Sequence, residues 1–226
     1  MFVGIDDDGA FRTGVVPCIS AIGPWLDAAE QVLVDIPVGL LSSGSGERLC
    51  DVAARRMISP RGSTVFPAPA RTAVYMGSYT EASAENQRCL GRKLSQQSFQ
   101  ICSKIREVDE FMRAVRPGPK LREMHPEVAF CALGDKSPLL TRKKQRDGYR
   151  DRLELLRSVY AGTDGVIEAA RKGEPLKKDL ADDDILDALV GAVTARLYRH
   201  LQTLPAAPPL DDEGLPMEIV YAERTV

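Results

Sequence analysis

Residues 31–40, QVLVDIPVGL, decide how this chain is expected to fold. The continuous apolar run from Val32 to Val34 is typical of a strand buried on both faces, as central strands of parallel sheets are. Pro37 cannot donate a hydrogen bond to a neighbouring strand, so the strand must end before it. Asp35 is therefore predicted at the strand's C-terminal end, where open α/β sheets place their ligands. Alternatively, Asp35 only accepts hydrogen bonds from the amides of the following turn.

Upstream of this strand, two short apolar segments, Phe2–Ile5 and Phe11–Val16, flank the sequence DDDG at positions 6–9. Aspartate and glycine tolerate positive φ, so this composition predicts a hairpin of two antiparallel strands. Residues 21–30 then have helical spacing, which predicts a helix between the hairpin and the Asp35 strand.

Residues 47–116 are rich in helix formers and are interrupted by several prolines and glycines. This composition favours short helices over further sheet, so we expect a mainly helical insertion within a single domain spanning residues 1–226. Residues 121–124 predict another strand, and residues 148–160 predict a helix with one apolar face. Strands that alternate with helices indicate an α/β fold.

Residues 182–188, DDDILDA, begin a segment that predicts a long helix from Asp184 to about Leu201. Asp182 or Asp183 is the expected N-cap, because an aspartate oxygen accepts the free backbone N–H groups of a first turn. Small residues further along would let this helix approach a sheet closely, and they are Ala188, Gly191, Ala192 and Ala195.

Asp184 and Asp187 are three residues apart and so lie on one face of this helix. If the helix packs on the sheet that contains Asp35, the three carboxylates converge. Their mutual repulsion would then favour a divalent cation. The alternative is that the acidic residues only cap the helix, with Asp187 facing solvent.

Weaker candidates lie near two predicted elements. His125 and Glu127 follow the 121–124 strand, which also contains Glu123, and these side chains could ligate a metal or transfer protons. A lone histidine, however, is more often structural. Arg48 and Asp51 have the i,i+3 spacing of a salt bridge within a helix, although Arg48 could instead face a phosphate.

Between residues 136 and 157 the chain has eight basic and three acidic residues. Such a surplus can form a phosphate-binding surface, for which Lys143, Lys144 and Arg152 are the candidates. The alternative is a solvated helix face.

Composition restricts the class of protein. The 226 residues are 44% hydrophobic, enough for a full core, and 30 basic against 32 acidic residues give no overall basic field. The five cysteines lack CxxC spacing, which favours reduced thiols in a cytoplasmic protein. No apolar run approaches the roughly 18 residues of a membrane span, so we expect no membrane association. Nothing in the composition indicates an oligomeric state.

Seven segments occur in the same order as the motifs of one family: VDIPVGL (34–40), RLCDVAAR (48–55), STVFPAP (63–69), LSQQ (94–97), KIREVD (104–109), EMHPE (123–127) and DDILDA (183–188). On these motifs the chain resembles the predicted RNase H-like nuclease family of uncharacterised proteins. The resemblance runs from Leu33 to about Arg199. It implies a ribonuclease H-like mixed sheet flanked by helices, with a helical insertion after the Asp35 strand.

The resemblance also implies a function. Asp35 matches the aspartate of the family's Asp-Ile-Pro motif, Glu127 matches the glutamate of its His-Pro-Glu motif, and Asp184 and Asp187 are similar to the terminal-helix acids of RuvC-type resolvases. A metal-dependent nuclease is expected, with nucleic acid as substrate. Two Mg²⁺ or Mn²⁺ ions about 3.5–4 Å apart would hydrolyse the phosphodiester bond.

One feature departs from the family pattern. Members usually begin with a Gly-Val-Asp-Gly strand whose aspartate would be a central metal ligand, whereas residues 3–16 here resemble the hairpin that follows it. The first strand is thus expected to be missing or degenerate. Asp6 is a weak substitute, since only 28 residues between it and Asp35 leave little room for two more strands and a helix.

This departure supports a second hypothesis, a catalytically inactive RNase H-like binding or scaffold protein. A third hypothesis, another phosphate-transfer enzyme on the same fold, ranks lower because no glycine-rich phosphate loop occurs near the N-terminus.

Overall fold

The β structure consists of short strands in pairs. The structure, a computed structural model, describes residues 1–44, 46–173 and 181–224. Its strands are β1 (Phe2–Ile5), β2 (Phe11–Gly14), β3 (Val32–Val34), β4 (Leu121–Glu123), β5 (Gln202–Leu204) and β6 (Ile219–Tyr221). The predicted mixed α/β class is confirmed, since helices flank these small sheets.

Ten α-helices separate or surround the strands in the described residues. They are α1 (Gly23–Ala28), α2 (Leu49–Met57), α3 (Arg71–Val74), α4 (Tyr79–Leu90), α5 (Gln96–Gln100), α6 (Cys102–Val115), α7 (Pro126–Leu133), α8 (Arg146–Val159), α9 (Thr163–Lys172) and α10 (Asp182–Arg196). The described residues between 47 and 116 form helices α2 to α6 and one short 3-10 turn, as their composition predicts.

The predicted N-terminal hairpin is present. Strands β1 and β2 pair antiparallel, with Phe2 opposite Gly14 and Ile5 opposite Phe11. The turn closes because the Asp6 carboxylate accepts the N–H of Ala10 at 2.7 Å, and Gly9 adopts a φ of +84°.

The second pair is parallel and contains the strand that precedes Asp35. Val32 lies opposite Leu121 and Val34 opposite Glu123, so β3 and β4 end together. Met124 then forms a parallel bridge to Val220 in β6, which pairs antiparallel with β5. Among the described residues, no hydrogen-bonded ladder joins the hairpin to β3.

Helix α10 connects these parts, because it packs on β1, on β3 and on α7. Its large buried apolar side chains are Ile185, Leu186, Leu189, Val190 and Val193. Each fully buried aliphatic side chain contributes about 1.5–3 kcal/mol of transfer free energy. Gly191 permits a close approach, since a Cβ there would lie 3.0 Å from the terminal carbon of Met124.

Both ends of α10 differ from the prediction. The N-cap is Ala181 rather than Asp182 or Asp183, and the carboxylate of Asp184 accepts the Ala181 N–H at 3.1 Å. The helix ends at Arg196 rather than near Leu201, because a short 3-10 turn and then β5 follow it.

Candidate functional site

Asp35 lies in a bend directly after β3 and is exposed to solvent. Neighbouring protein atoms displace part of its hydration, and this desolvation is the main cause that raises the pKa of its carboxyl. The negative charges of Asp187, Glu123 and Asp184 raise the pKa further, whereas the cation of Lys143 opposes them. Asp184 and Asp187, the two carboxylates predicted to approach Asp35, therefore lie within electrostatic range of it.

Asp184 and Asp187 occupy the first turns of α10. Asp184 is exposed, whereas the side chain of Asp187 is only 12% exposed. One carboxylate oxygen of Asp187, Oδ2, pairs with the Lys143 ammonium at 2.6 Å. The other, Oδ1, is buried and has no hydrogen-bond partner among the described residues. Desolvation raises the pKa of Asp187, and Lys143 opposes this rise.

A buried oxygen without a donor is costly, because it loses its hydration and gains nothing in return. Native proteins leave few such atoms, and a catalytic role or a bound ion or water is among the explanations for one. Asp187 Oδ1 is such an atom, and the carboxylate that contains it lies within electrostatic range of Asp35.

Lys143 is a cation at the acidic surface, the name used here for the region of Asp35, Asp184 and Asp187. Its Nζ lies 2.6 Å from Asp187 Oδ2 and 3.6 Å from Asp183 Oδ2. These two carboxylates and Asp35 raise the pKa of Lys143 against the effect of its partial burial. The lysine therefore stays charged and partly neutralises the acidic residues.

As the side chains stand, no three histidine, cysteine, aspartate or glutamate residues within the described ranges are grouped closely enough to hold a metal ion. The Asp184 and Asp187 carboxylates on α10 affect the Asp35 carboxyl electrostatically. The Lys143 ammonium pairs with Asp187.

The carboxylate of Glu127, predicted to be catalytic, is committed to a buried ion pair. Arg152 Nη2 donates to both Glu127 oxygens, at 2.6 and 2.8 Å. Arg152 is 1% exposed, and its Nη1 donates to the carbonyls of Gly148 and Thr141. A substrate phosphate would have to displace Glu127 to reach this guanidinium. The geometry gives the pair a structural role, connecting α7 to α8.

Arg48, another predicted phosphate ligand, is also buried. Its guanidinium donates to Asp51 at 2.6 Å and to Glu123 at 2.7 and 2.9 Å. It also donates to the carbonyls of Val38 and Gly39 in the loop after Asp35. This network fixes the loop that follows Asp35 and makes Arg48, Asp51 and Glu123 part of the framework beneath the site.

His125 lies between these two buried pairs. Burial lowers its pKa, against the opposing charges of Glu127 and Asp51, so the ring is neutral at pH 7. The ring has a hydrogen bond to the Thr64 backbone, while Nδ1 is buried without a partner among the described residues. His125 therefore contributes no positive charge to the acidic surface.

Asp6 lies far from Asp184. In the same hairpin turn, Gly9 accepts a hydrogen bond from the Tyr160 hydroxyl, and the Asp7 carbonyl accepts one from Arg196 at the C-terminal end of α10. Arg196 follows Asp184 by twelve positions along the helix, a distance of about 18 Å. The structure does not bring Asp6 to the acidic surface.

Lys144 is exposed and has no ion pair with any described residue. Arg142 and Arg146 on either side are also exposed. These three exposed cations, which are neighbours of Lys143 in the chain, are called the basic edge. Of the four candidate phosphate ligands, only Lys143 and Lys144 are accessible.

Sequence reasoning missed two residues here. Asp183 was considered only as a helix cap, although its i,i+4 spacing from Asp187 indicates a common helix face. Gly148 lies inside α8, and a Cβ there would lie 2.0 Å from the Arg142 carbonyl oxygen. An isolated glycine within a helical pattern is the signal for such a close approach.

Comparison with known proteins gives one match. No curated protein and no solved structure matches the chain significantly. No helix in the described parts of the chain is long and apolar enough to cross a membrane. The family model described as Protein of unknown function (DUF429) matches residues 1–209, so the chain belongs to this uncharacterised family.

Proposed function

We propose that this protein is a metal-dependent nuclease of the RNase H-like type, with an acidic centre formed by Asp35, Asp184 and Asp187. The observation that carries the proposal is the unpartnered, buried Oδ1 of Asp187, next to a carboxylate whose pKa the same aspartate raises. The sequence resemblance to RNase H-like nucleases supports the same three residues.

The donor chemistry fits Mg²⁺ or Mn²⁺, which prefer carboxylate oxygens. Asp187 offers a free oxygen, and Asp35 and Asp184 are accessible and can turn towards a shared ion. A cation bound among them would relieve the repulsion that raises the pKa of Asp35. The three residues would therefore hold the ion, and Lys143 would have to move away from Asp187.

The chemistry that such ions supply is activation of the attacking water and neutralisation of charge on the leaving oxygen of a phosphodiester. The chain's own residues provide positioning. The first turns of α10 hold the backbone of Asp184 and Asp187, and a loop anchored through Arg48 holds the backbone after Asp35, while the side chains of Asp35 and Asp184 can turn. All three act as ligands rather than as general bases.

The exposed basic edge supports a polyanionic substrate. Arg142, Lys144 and Arg146 are solvent-facing and lie in the segment that contains Lys143. Cations of this kind attract phosphates without selecting a base sequence. Arg48 and Arg152, which are buried in ion pairs, have no part in this surface.

A second candidate function, an inactive binding or scaffold protein with the same fold, is favoured by one observation. Asp187 already has a counter-ion in Lys143, and the acidic residues are not grouped at metal-binding distance in the described part of the chain. In that case the ion pair is structural, and nucleic acid binding through the basic edge would not require a metal.

Calorimetric titration with Mn²⁺ separates the two candidates. The proposal expects binding by the wild type and at least tenfold weaker binding by Asp35→Asn and Asp187→Asn. Asp164→Asn, which changes an exposed aspartate paired with Arg157, is the control and should leave the affinity unchanged. Equal and negligible heats for wild type and Asp35→Asn would eliminate the nuclease proposal. Cleavage of labelled DNA and RNA by the same variants should follow the metal affinity.

A further inference from the structure

We propose that Lys143 is a tethered cation that competes with the metal for Asp187 and becomes available to substrate phosphate only when the metal has displaced it. This inference rests on the proposed function, because it assigns the order of events at the same acidic centre.

The first observation is where the Lys143 ammonium lies. It is 2.6 Å from Asp187 Oδ2 and 3.6 Å from Asp183 Oδ2, on the face of α10 that presents both carboxylates. A divalent ion that uses Asp187 would have to approach the carboxylate that the ammonium neutralises. Two cations at one carboxylate repel each other strongly where water is partly excluded. Metal binding therefore requires the lysine to withdraw.

The second observation is that Lys143 can withdraw. Its side chain is 36% exposed, in contrast to the buried Arg48 and Arg152. The ammonium is a compact charge on a flexible four-carbon stem, so it can exchange a carboxylate for water or phosphate at little structural cost. A buried arginine with a bidentate partner has no such freedom.

The third observation is that the surrounding loop is held in place independently of Lys143. The Thr141 hydroxyl donates to Asp151 at 2.7 Å, and Arg152 donates to the Thr141 carbonyl. The Arg142 carbonyl occupies the space that a Cβ of Gly148 would need. These contacts keep the backbone beside α10 when the lysine side chain leaves, so the withdrawn ammonium stays close to the acidic centre.

The fourth observation is the position of the released charge. Arg142 and Lys144, the chain neighbours of Lys143, are exposed and belong to the basic edge. Once free of Asp187, the Lys143 ammonium would extend this edge towards the acidic centre. Phosphate binding there would thus be stronger with metal than without it, which couples the two ligands positively.

Mn²⁺ titration of Lys143→Met tests the competition. Methionine keeps the length and apolar character of the stem and removes the charge, so the variant should bind Mn²⁺ at least about fivefold more tightly than the wild type. Lys143→Arg retains a cation and should remain close to the wild type. Lys144→Met is the matched control, because it removes an adjacent charge that has no carboxylate partner, and it should change the affinity by less than about twofold.

The outcomes are distinguishable. Tighter binding by Lys143→Met alone, measured against a wild type that itself binds Mn²⁺, supports the inference. Equal or weaker binding by Lys143→Met than by the wild type overturns it and leaves the metal site intact. No Mn²⁺ binding by any of the four proteins overturns both the inference and the proposed nuclease. If Lys143→Met fails to give a wild-type circular dichroism spectrum, Lys143→Gln replaces it with the same expectations.

Discussion

Arg152→Leu removes a buried cation from α8 and leaves the carboxylate of Glu127 without its partner. The pair has two short hydrogen bonds, 2.6 and 2.8 Å, and its side chains are 1% and 8% exposed. Removing one member of such a pair costs about 3–5 kcal/mol, because an uncompensated charge stays buried. That is a large part of the roughly 5–15 kcal/mol that stabilises a typical domain. We expect Arg152→Leu to lower the free energy of unfolding by this amount.

Urea unfolding followed by circular dichroism measures the loss. Arg157→Leu is the control, since the Arg157–Asp164 pair has a similar distance, 2.7 Å, but side chains that are 50% and 68% exposed. Its free energy of unfolding should stay close to that of the wild type, because an exposed ion pair is screened by solvent. The double variant Glu127→Leu/Arg152→Leu removes both charges and should recover much of the stability lost in Arg152→Leu.

Two results would contradict this reasoning. A loss below about 1 kcal/mol for Arg152→Leu would mean that Glu127 finds water or another partner, so the pair is not a buried structural element. A double variant no more stable than Arg152→Leu would mean that the unpaired carboxylate is not the cause of the loss. In either case Arg152 would again be a candidate for phosphate binding.

Three further predictions concern the same region. Gly148→Ala should lower the free energy of unfolding by about 1–3 kcal/mol in urea titrations, because its Cβ would overlap the Arg142 carbonyl, whereas Gly4→Ala meets no atom within 4 Å. In metal-free buffer at pH 7, Asp35→Asn should raise the melting temperature, because the folded state raises the pKa of this carboxyl and so disfavours its charged form. An unchanged or lower melting temperature would argue against repulsion at the site. The pKa of His125 is lowered in the folded state, so its contribution to stability is present above pH 6.5 and is lost as the pH falls below that value. Wild type should therefore lose more stability than His125→Gln between pH 7 and pH 5, and parallel losses would show that His125 is equally protonated in both states.

The part of the fold that local pattern determines could be predicted. The apolar run before Asp35 and the proline after it predict where β3 lies and where it ends, because both signals act within a few residues. The predicted burial on both faces is wrong, since the three residues of β3 are half-buried and the strand has one paired neighbour among the described residues. The hairpin follows in the same way from DDDG between two apolar segments. Both elements depend on local sterics and alternation, which single-sequence reasoning detects.

Elements that depend on tertiary contacts could not be predicted. Strand β5, Gln202–Leu204, directly follows the segment predicted to be helical up to about Leu201. It pairs antiparallel with β6, a partner that is distant in the sequence. The apolar spacing of Leu197 and Leu201 continues that of α10, yet the helix ends at Arg196. Periodicity alone does not show where a helix leaves the surface that it packs on.

The candidate site also has a part that local sequence predicts and a part that depends on tertiary contacts. Spacing along a helix places Asp184 and Asp187 on one face, and that much is local. The partner of each carboxylate is not determined locally. Only the folded structure shows that Lys143 pairs with Asp187 and that Arg152 pairs with Glu127. Both basic residues belong to one run in the sequence, and burial alone distinguishes their roles.

The buried network around Arg48 has a consequence for hydrogen exchange. The Val38 N–H donates to the Glu123 carboxylate at 2.8 Å, and Arg48 holds the carbonyls of Val38 and Gly39. Amides in an exposed loop usually exchange through local opening, but this one can be released only when the ion-pair network separates. We therefore expect the Val38 amide to be protected almost as strongly as the helical core. The amide of the exposed Lys144, which has no backbone hydrogen bond to a described residue, should exchange much faster. The acidic centre would then lie at the boundary between a slowly exchanging and a rapidly exchanging segment.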